Sequence, residues 1–409
     1  MTGAVEQAYR EDWSRLLALL VTRLRRFDVA EDSLQDAFVA AARVWPVDGV
    51  PERPAAWLYT TAYRRALDRV RREEADARRL PLLVTEPAPQ ALGEKGDVPD
   101  ERLRMLFACC HPALRPEASA ALMLRFVAGL STAEIARLFL VAEPAMAARL
   151  TRAKAKMALA GIPLREPSAA DLPERLDVVL RVIYLIFTEG YRATAGAELI
   201  RPALAGEAIR LGYLVGELLP GEPRTPALLA LMVLQHARRD ARTTPDGDLV
   251  LLPDQDRGRW RQDEIARGMA LLGVLEAVPM PGEYHLQALI AAEHAGPGPT
   301  DWPRIAHLYA ELERRTGSPA VRLNRAVAVA EAGSPEAGLA LLDGLDDALT
   351  GNHLLPAARA ELLARLGRGA DAAAEFRRAR DLARTAPERA HLERRLAATS
   401  GNGAVDPIA

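Results

Sequence analysis

The chain of 409 residues is poor in cysteine and in aromatic residues. Cys109 and Cys110 are its only cysteines and they are adjacent, which excludes both a disulfide framework and a Cys-x-x-Cys metal motif. Together with His111 they form three consecutive residues, and on a helix these point in three directions and cannot hold one ion tetrahedrally. We expect reduced thiols, no metal site and no cofactor.

Long apolar runs are also missing, because no stretch reaches the length of a membrane span and the first residues lack a signal-peptide core. The sequence has no Gly-rich phosphate loop and no Gly-x-Ser-x-Gly elbow. His285, His294 and His307 have no carboxylate pair at ligand spacing. We therefore expect a soluble cytoplasmic protein that makes no membrane contact and is not an enzyme.

The chain has no large excess of charge of either sign: 53 basic and 55 acidic residues give a formal net charge of -2. The balance hides opposing blocks: residues 101–166 carry a net charge of +5 and residues 167–409 a net charge of -5. The basic block is short enough to be a single DNA-binding module with an acidic remainder behind it.

Strand signals are almost absent, whereas apolar residues recur at spacings of three and four, which predicts an all-α protein. Proline and glycine interrupt this pattern at Leu80–Pro99, which we interpret as a flexible linker, at Gly161–Pro173 and at Pro279–Gly282. Residues 248–253 are the one stretch that favours an extended segment.

The C-terminal part contains a repeat. Gly333 and Gly367 are 34 residues apart, and each follows one apolar helical run and precedes another. This period is typical of tetratricopeptide repeats, with Ala372, Phe376 and Ala379 at the small, aromatic and small positions of a second helix.

Residues 129–157 have the pattern of a helix-turn-helix. Ser131 and Glu134 form a capping box that begins the first helix, and Pro144 suits the first turn of the second. The second helix has an apolar side and, opposite to it, a basic side. This pattern is typical of a helix that binds in the major groove of DNA. The basic side comprises Ala145, Ala148, Arg149, Arg152 and Lys156. The alternative is an ordinary helical hairpin with a solvated basic face.

Residues 29–72 predict two more amphipathic helices. The first has an acidic outer face made of Glu31, Asp32, Gln35 and Asp36, which suits either the helix dipole or a basic partner. After a loop at residues 46–53, the second places aromatic and guanidinium groups together, as binding of unstacked bases requires. This face comprises Trp57, Thr61, Arg64, Arg65, Asp68, Arg71 and Arg72, opposite an apolar side of Tyr59, Tyr63, Ala66, Leu67 and Val70. A surface helix with a half-buried Trp57 is the alternative.

These motifs resemble bacterial RNA polymerase sigma factors of the extracytoplasmic-function group. The runs 29–38, 54–58 and 67–72 are similar to conserved region 2, and the runs 129–136 and 146–154 to region 4. The chain beyond residue 160 is similar to the subgroup with a large C-terminal extension ending in tetratricopeptide-like repeats. The resemblance implies sigma region 2 (1–75), a linker (76–100), sigma region 4 (101–160), a helical extension domain (168–290) and repeats (301–399).

The resemblance also implies residue roles. Asp32, Gln35 and Asp36 match the surface that binds core RNA polymerase. The loop at 47–53 with Trp57, Arg64, Arg65, Arg71 and Arg72 matches the part that melts and captures the -10 promoter element. Ala145, Ala148, Arg149, Arg152 and Lys156 match the helix that enters the major groove at the -35 element.

The sequence departs from the family at several of these positions. Arg64 stands where the family usually has Asn, which favours a phosphate contact over a specific polar one. Ala145, Ala147 and Ala148 replace the Thr, Lys and Ser that family members often have, and Pro144 replaces a flexible residue. Because fewer donors remain for base edges, we expect -35 recognition to depend on Arg149 and on groove shape.

We therefore expect a polymerase subunit that opens promoters, with an extension that regulates it in cis by docking on the sigma domains or on a protein partner of the repeats. Because two modules share one linker, the free protein should bind promoters poorly until polymerase fixes their separation. Two alternatives remain. A helix-turn-helix regulator with a helical sensor domain predicts tight operator binding without polymerase. A repeat-based scaffold or helical hydrolase predicts no DNA function for Arg149.

Overall fold

In the computed structural model the described residues are 2–24, 26–76, 101–139, 141–162, 167–192, 200–276 and 282–401. They are helical, and extended pairing within them is limited to one isolated antiparallel bridge between Thr243 and Leu249. The prediction of an all-α fold is confirmed. The predicted linker at 80–99 and most of the predicted break at 279–282 lie outside the described residues.

The chain divides into two compact units, residues 1–185 and 186–409. The boundary falls within one helix, so the finer division into five segments remains a prediction. The N-terminal unit contains α1 Thr2–Leu24, α2 Phe27–Asp48, α3 Pro54–Asp76, α4 Glu101–Cys109, α5 Pro116–Leu122, α6 Thr132–Phe139, α7 Glu143–Leu159 and most of α8 Leu172–Tyr191.

In the N-terminal unit, α1, α2 and α3 pack around fully buried side chains, among them Trp13, Leu34 and Leu58. α2 continues through Pro46 to Asp48, so the loop predicted at 46–53 in fact begins at Gly49. The buried indole of Trp45 anchors this last turn, and the Gly49 N–H donates to the Trp45 carbonyl oxygen at 3.1 Å. Gly49 ends the helix with φ +90°, a backbone conformation that favours glycine.

The second unit contains α9 Pro202–Leu218, α10 Arg224–His236, α11 Gln262–Gly273, α12 Glu283–Ala295, α13 Trp302–Thr316, α14 Pro319–Glu331, α15 Pro335–Leu341, α16 Leu354–Arg365, α17 Gly369–Leu382 and α18 Ala386–Gly401. α10 is apolar on all sides and is surrounded by α9, α11 and α12. Leu286 and Ile290 of α12 join the same apolar cluster as Ile305 of α13, so the core continues across residues 290–301.

The C-terminal helices form successive hairpins. Gly333 and Gly367 follow α14 and α16 with φ of +108° and +73°, and each allows the chain to reverse into the next helix. Ala372, Phe376 and Ala379 are fully buried on α17, where the repeat pattern places its packing residues. The helical C-terminal part predicted from the sequence is thus present.

Candidate nucleic-acid interface

The acidic face of α2 is only partly as predicted. Asp32 is exposed and Gln35 and Asp36 are half-buried, so all three reach solvent. Asp32 accepts a hydrogen bond of 2.9 Å from Arg69 of α3, and the Asp36 carboxylate lies 3.7 Å from the same guanidinium. The sequence analysis did not single out Arg69. Because both partners are more than a third exposed, each pair adds at most about 1 kcal/mol and exchanges readily for another cation.

Glu31 corrects the prediction for this face. Its side chain is 4% exposed and points into the unit, where its carboxylate accepts hydrogen bonds from Arg125 Nε at 2.5 Å and Lys154 Nζ at 3.2 Å. Arg125 is itself 6% exposed and also donates to the Leu130 carbonyl oxygen at 2.8 Å. A buried carboxylate with two cations is held more firmly than an exposed one.

This ion pair joins two parts of the N-terminal unit that are distant in sequence. Glu31 lies on α2, Arg125 on a π-helical segment, Met123–Val127, and Lys154 on α7. Tyr9 donates to the Gly129 carbonyl oxygen at 2.8 Å across the same interface, and the rings of Phe27 and Phe126 stack at 5.4 Å.

Gly129 allows the interface to close. Its φ is +76°, and a Cβ at this position would lie 2.9 Å from Cδ1 of Trp13. The guanidinium of Arg125 lies 5.6 Å from the Trp13 ring centroid. The helix-turn-helix and the first three helices therefore share one buried interface.

The basic face of α3 is partly divided. Arg64, Arg71 and Arg72 are exposed as predicted, but Arg65 points toward α2 and donates to the Asp36 carbonyl oxygen at 2.8 Å. Trp57 is half-buried with its ring 5.7 Å from that of Trp45.

The buried side of α3 is rotated by part of a helical turn from the apolar side predicted from the sequence. The fully buried residues are Leu58, Ala62 and Ala66, while Tyr59 and Tyr63 are half-buried and stack on each other at 6.0 Å. The small alanines allow α2 to approach closely, and this close packing explains why Arg65 and Arg69 reach the carboxylates of α2.

The helix-turn-helix begins as predicted. Ser131 N donates to the Glu134 carboxylate at 2.7 Å, and Glu134 N donates to the Ser131 hydroxyl at 3.1 Å, so the capping box is confirmed. The Ser131 bonds hold the pKa of Glu134 below its usual value, although burial raises it. α7 then buries Met146, Leu150, Ala153 and Met157, the apolar side expected from their spacing.

The opposite side of α7 is open to solvent. Ala145, Arg152 and Lys156 are exposed, and Ala148 and Arg149 are half-buried. Arg149, Arg152 and Lys156 line an open cavity with a volume of about 620 Å³. Arg115 and Glu117, at the start of α5, line it as well, and the sequence analysis did not single them out. The surface is mainly cationic and suits a polyanion.

The candidate metal ligands are not arranged for chelation. Both thiols are fully buried on α4 and in the turn after it, and burial raises the pKa of both. Among the described residues, no group of three or more His, Cys, Asp or Glu side chains is placed to hold an ion. Within the same ranges, no helix is long and apolar enough to cross a bilayer.

Comparison with known families gives two matches in the N-terminal unit. Residues 9–75 match sigma-70 region 2 and residues 104–157 match sigma-70 region 4. The chain belongs to the sigma-70 family. It is an RNA polymerase sigma factor of the extracytoplasmic-function type with a C-terminal extension, and a helix-turn-helix regulator that is not a polymerase subunit is not favoured. Residues 175–275 of the extension match a family of unknown function (DUF6596).

Two relatives are similar to different lengths of the chain. The sigma factor is 41% identical to the uncharacterized protein R00370 of Rhizobium meliloti (strain 1021) over 404 residues, which cover 97% of this chain and 96% of the relative. It is 29% identical to the ECF RNA polymerase sigma factor SigK of Mycobacterium tuberculosis (strain H37Rv) over 162 residues, 38% of this chain and 80% of SigK. No solved structure matches.

The buried ion pair generates a prediction about stability. Glu31→Gln should lower the free energy of unfolding by about 3 kcal/mol, because it leaves the buried Arg125 without a carboxylate. Arg125→Met should lower it by a smaller amount, because Glu31 keeps its bond to Lys154. Urea unfolding followed by tryptophan fluorescence measures this. The double variant should lose clearly less than the sum of the two.

The control is Asp28→Asn, which removes an exposed carboxylate on the same helix that pairs with Arg26 at 2.8 Å. We expect it to cost less than about 1 kcal/mol. Equal losses for Glu31→Gln and Asp28→Asn would contradict the role of the buried pair.

Proposed function

We propose that the sigma factor binds core RNA polymerase through Asp32, Gln35 and Asp36. The support is their position: they reach solvent on one side of α2, and the partners of the two aspartates are exposed arginines of the same unit. A basic surface of the polymerase replaces Arg65 and Arg69 at small cost, because exposed ion pairs are weak.

The -10 element is assigned to the exposed side of α3 and the loop before it. Trp57 offers half of its ring for stacking, and Arg64, Arg71 and Arg72 supply phosphate contacts along an opened strand. Arg65 contributes less than predicted from the sequence, because in this conformation it is bonded to Asp36. Release of Arg65 on polymerase binding returns it to the DNA-binding face.

The -35 element is assigned to α7. Arg149 is the side chain suited to a guanine edge, with Arg152 and Lys156 on phosphates. Ala145 and Ala148 let the helix approach the groove without adding donors. Arg115 extends this cationic surface to the start of α5, where it is placed for a further phosphate contact.

Simultaneous binding of both elements requires the N-terminal unit to open. The elements are separated by about 25 base pairs, roughly 85 Å at about 3.4 Å per base pair. α7 is only about 25 Å long at 1.5 Å per residue, and its Lys154 is bonded to Glu31 of α2. In this conformation the two DNA-binding surfaces are too close, which supports weak promoter binding by the free protein and opening on polymerase.

We assign regulation in cis to the extension, acting on the sigma domains or through a protein partner of the C-terminal hairpins. Its net charge of -5 beside a basic block of +5 supports this. The site of action is the cytoplasm, where polymerase and DNA are found, and the chain performs no chemistry of its own.

Charge reversal tests the polymerase contact. Asp32→Lys with Asp36→Lys should weaken association with purified core polymerase at least tenfold, because like charges then face each other, and should abolish start-site selection in reconstituted transcription. The matched control, Asp171→Lys with Glu174→Lys, changes the same charge at exposed positions around the start of α8, away from the proposed binding surfaces. Equal association of the two variants would refute the assignment.

Substitutions on α7 test the -35 contact in holoenzyme, on promoter fragments selected by the unaltered holoenzyme. Arg149→Ala should cost about 1 to 3 kcal/mol and relax the preferred -35 sequence. Lys156→Ala should lower affinity on all fragments and reduce the slope of log affinity against log salt by about 0.9. Arg181→Ala, an exposed arginine of α8, should change neither. An unchanged salt slope for Lys156→Ala would remove that residue from the DNA interface.

Truncation tests regulation in cis. Arg175 of α8 donates to the Phe107 carbonyl oxygen at 2.6 Å, so a chain ending at residue 192 keeps this helix. Its transcript yield with core polymerase should differ from that of the full chain by roughly fivefold or more, the usual scale of coupling between sites. Deletion of residues 402–409 alone is the control. Identical yield and response would eliminate the cis-regulatory role.

A further inference from the structure

The second unit contains a group of arginines at the end of α8 and after α10. Arg238 and Arg242 are 9% and 8% exposed and both contact Tyr191. Arg238 Nη2 donates to the Tyr191 hydroxyl at 2.9 Å. The Arg242 guanidinium lies 3.7 Å from the centroid of the Tyr191 ring and donates to the Tyr191 carbonyl oxygen. We call Tyr191, Arg238 and Arg242 the arginine cluster.

The two arginines of this cluster have no acidic partner in the part of the chain that the structure describes. Among the described residues, no carboxylate forms an ion pair with Arg238 or Arg242. Other buried arginines of the protein do have one: Arg201, 7% exposed, donates to Glu189 at 2.6 Å, and Arg125 donates to Glu31. An arginine does not lose its proton inside a protein, and an unpaired buried charge costs several kcal/mol. Within the described ranges, the arginine cluster therefore holds two buried positive charges without a carboxylate partner.

Most N–H donors of the arginine cluster have no acceptor among the described residues. Each guanidinium has five N–H groups, and the contacts to Tyr191 use one from each arginine. Neighbouring side chains add further donors: Trp260, 4% exposed, lies with its ring centroid 5.8 Å from the Arg238 guanidinium. Within the described ranges, Nε1 of Trp260 and Nδ1 of His294 are buried without a hydrogen-bond partner.

The positive potential in this region affects its titratable groups. Burial raises the pKa of Tyr191, but the charges of Arg238, Arg242 and Arg192 outweigh burial and lower it overall. Burial, followed by the charges of Arg238 and Arg257, lowers the pKa of His294 to about 4. Burial raises the pKa of Tyr309 to about 12. At neutral pH His294 is therefore uncharged, and Glu388, the carboxylate bonded to Arg192 and His353, has a pKa lowered to about 2.

We propose that Arg238 and Arg242 bind a small oxyanion, the phosphate or carboxylate group of a small molecule, beside Tyr191. Two planar guanidinium groups match the geometry of such an anion and bind it with paired hydrogen bonds. The Tyr191 hydroxyl accepts a hydrogen bond from Arg238 and so orients it, and the Trp260 ring lies beside the Arg238 guanidinium. The inference concerns binding by the extension itself and does not depend on the polymerase and DNA contacts proposed above.

Binding is tested on the full-length protein without polymerase or DNA. Isothermal titration calorimetry and thermal unfolding are measured with sodium phosphate, sodium acetate and sodium chloride at equal ionic strength. Phosphate or acetate should bind and raise the melting temperature, whereas chloride should not, because ligands that bind only the folded state stabilise it. Binding of phosphate alone identifies a phosphate site, and binding of acetate a carboxylate site. Equal effects of all three salts would overturn the proposal.

Substitutions locate the site. Arg238→Gln and Arg242→Gln should each weaken binding at least tenfold, and Arg242→Lys should weaken it as well, since lysine keeps the charge but loses the planar fork. Arg239→Gln is the matched control, because this neighbour is paired with Glu264 at 2.8 Å and should bind as the unaltered protein does. Loss of binding in Arg239→Gln equal to that in Arg242→Gln would overturn the proposal.

A stability measurement keeps the inference testable should these variants bind nothing because they are misfolded. Without added oxyanion, Arg242→Met should not lower the melting temperature, because it removes an unpaired buried charge. Arg201→Met should lower it, because it breaks the buried ion pair of Arg201 with Glu189. Equal losses in both would show that Arg242 serves the fold alone and would overturn the proposal. Tyrosinate absorbance at neutral pH that disappears in Tyr191→Phe would also overturn it, because the phenolate would then be the counter-ion.

Discussion

The carboxylate of Glu31 determines how the N-terminal unit is assembled. It is buried with Arg125 and shared with Lys154, so α2, the π-helical segment and α7 meet at one charged group. Removal of Glu31 leaves the buried Arg125 without a carboxylate, and removal of Arg125 leaves Glu31 with Lys154 alone. The contact is therefore strong while it is closed, and the opening that we propose would break all of it.

The contact between Glu31 and Lys154 restricts where α7 can lie relative to α2. α7 carries the side chains that we propose for DNA binding on one face and Lys154 toward α2, so under this proposal the helix reaches its promoter element only after the buried contact is broken. The proposed polymerase contact at Asp32 and Asp36, one and five residues after Glu31, is on α2, which carries Glu31. Binding energy gained there can offset the loss of the Glu31 contacts, which couples association with core polymerase to promoter recognition.

Local sequence patterns predicted much of this structure and missed its charged centre. The capping box at Ser131, the apolar side of α7 and the buried Phe376 depend on residues a few positions apart, which is the range that periodicity covers. Glu31 and Arg125 are 94 residues apart, and nothing in the pattern around Glu31 distinguishes it from exposed Asp32. Arg69 was missed because its partners lie on another helix, and Pro46 was read as a helix end although Trp45 holds the turn.

The same comparison of charges separates the two kinds of buried arginine in this protein. Arg125 and Arg201 have carboxylate partners, and their role is explained by the fold. Arg238 and Arg242 contact Tyr191, and their positive charges repel each other. This repulsion lowers the stability of the unit unless an anion binds between or beside the two guanidinium groups. Natural proteins retain such costs where function requires them. Within the second unit, Tyr191 is the last residue of α8. An anion bound as we propose would therefore contact the C-terminal end of this helix as well as the two guanidinium groups.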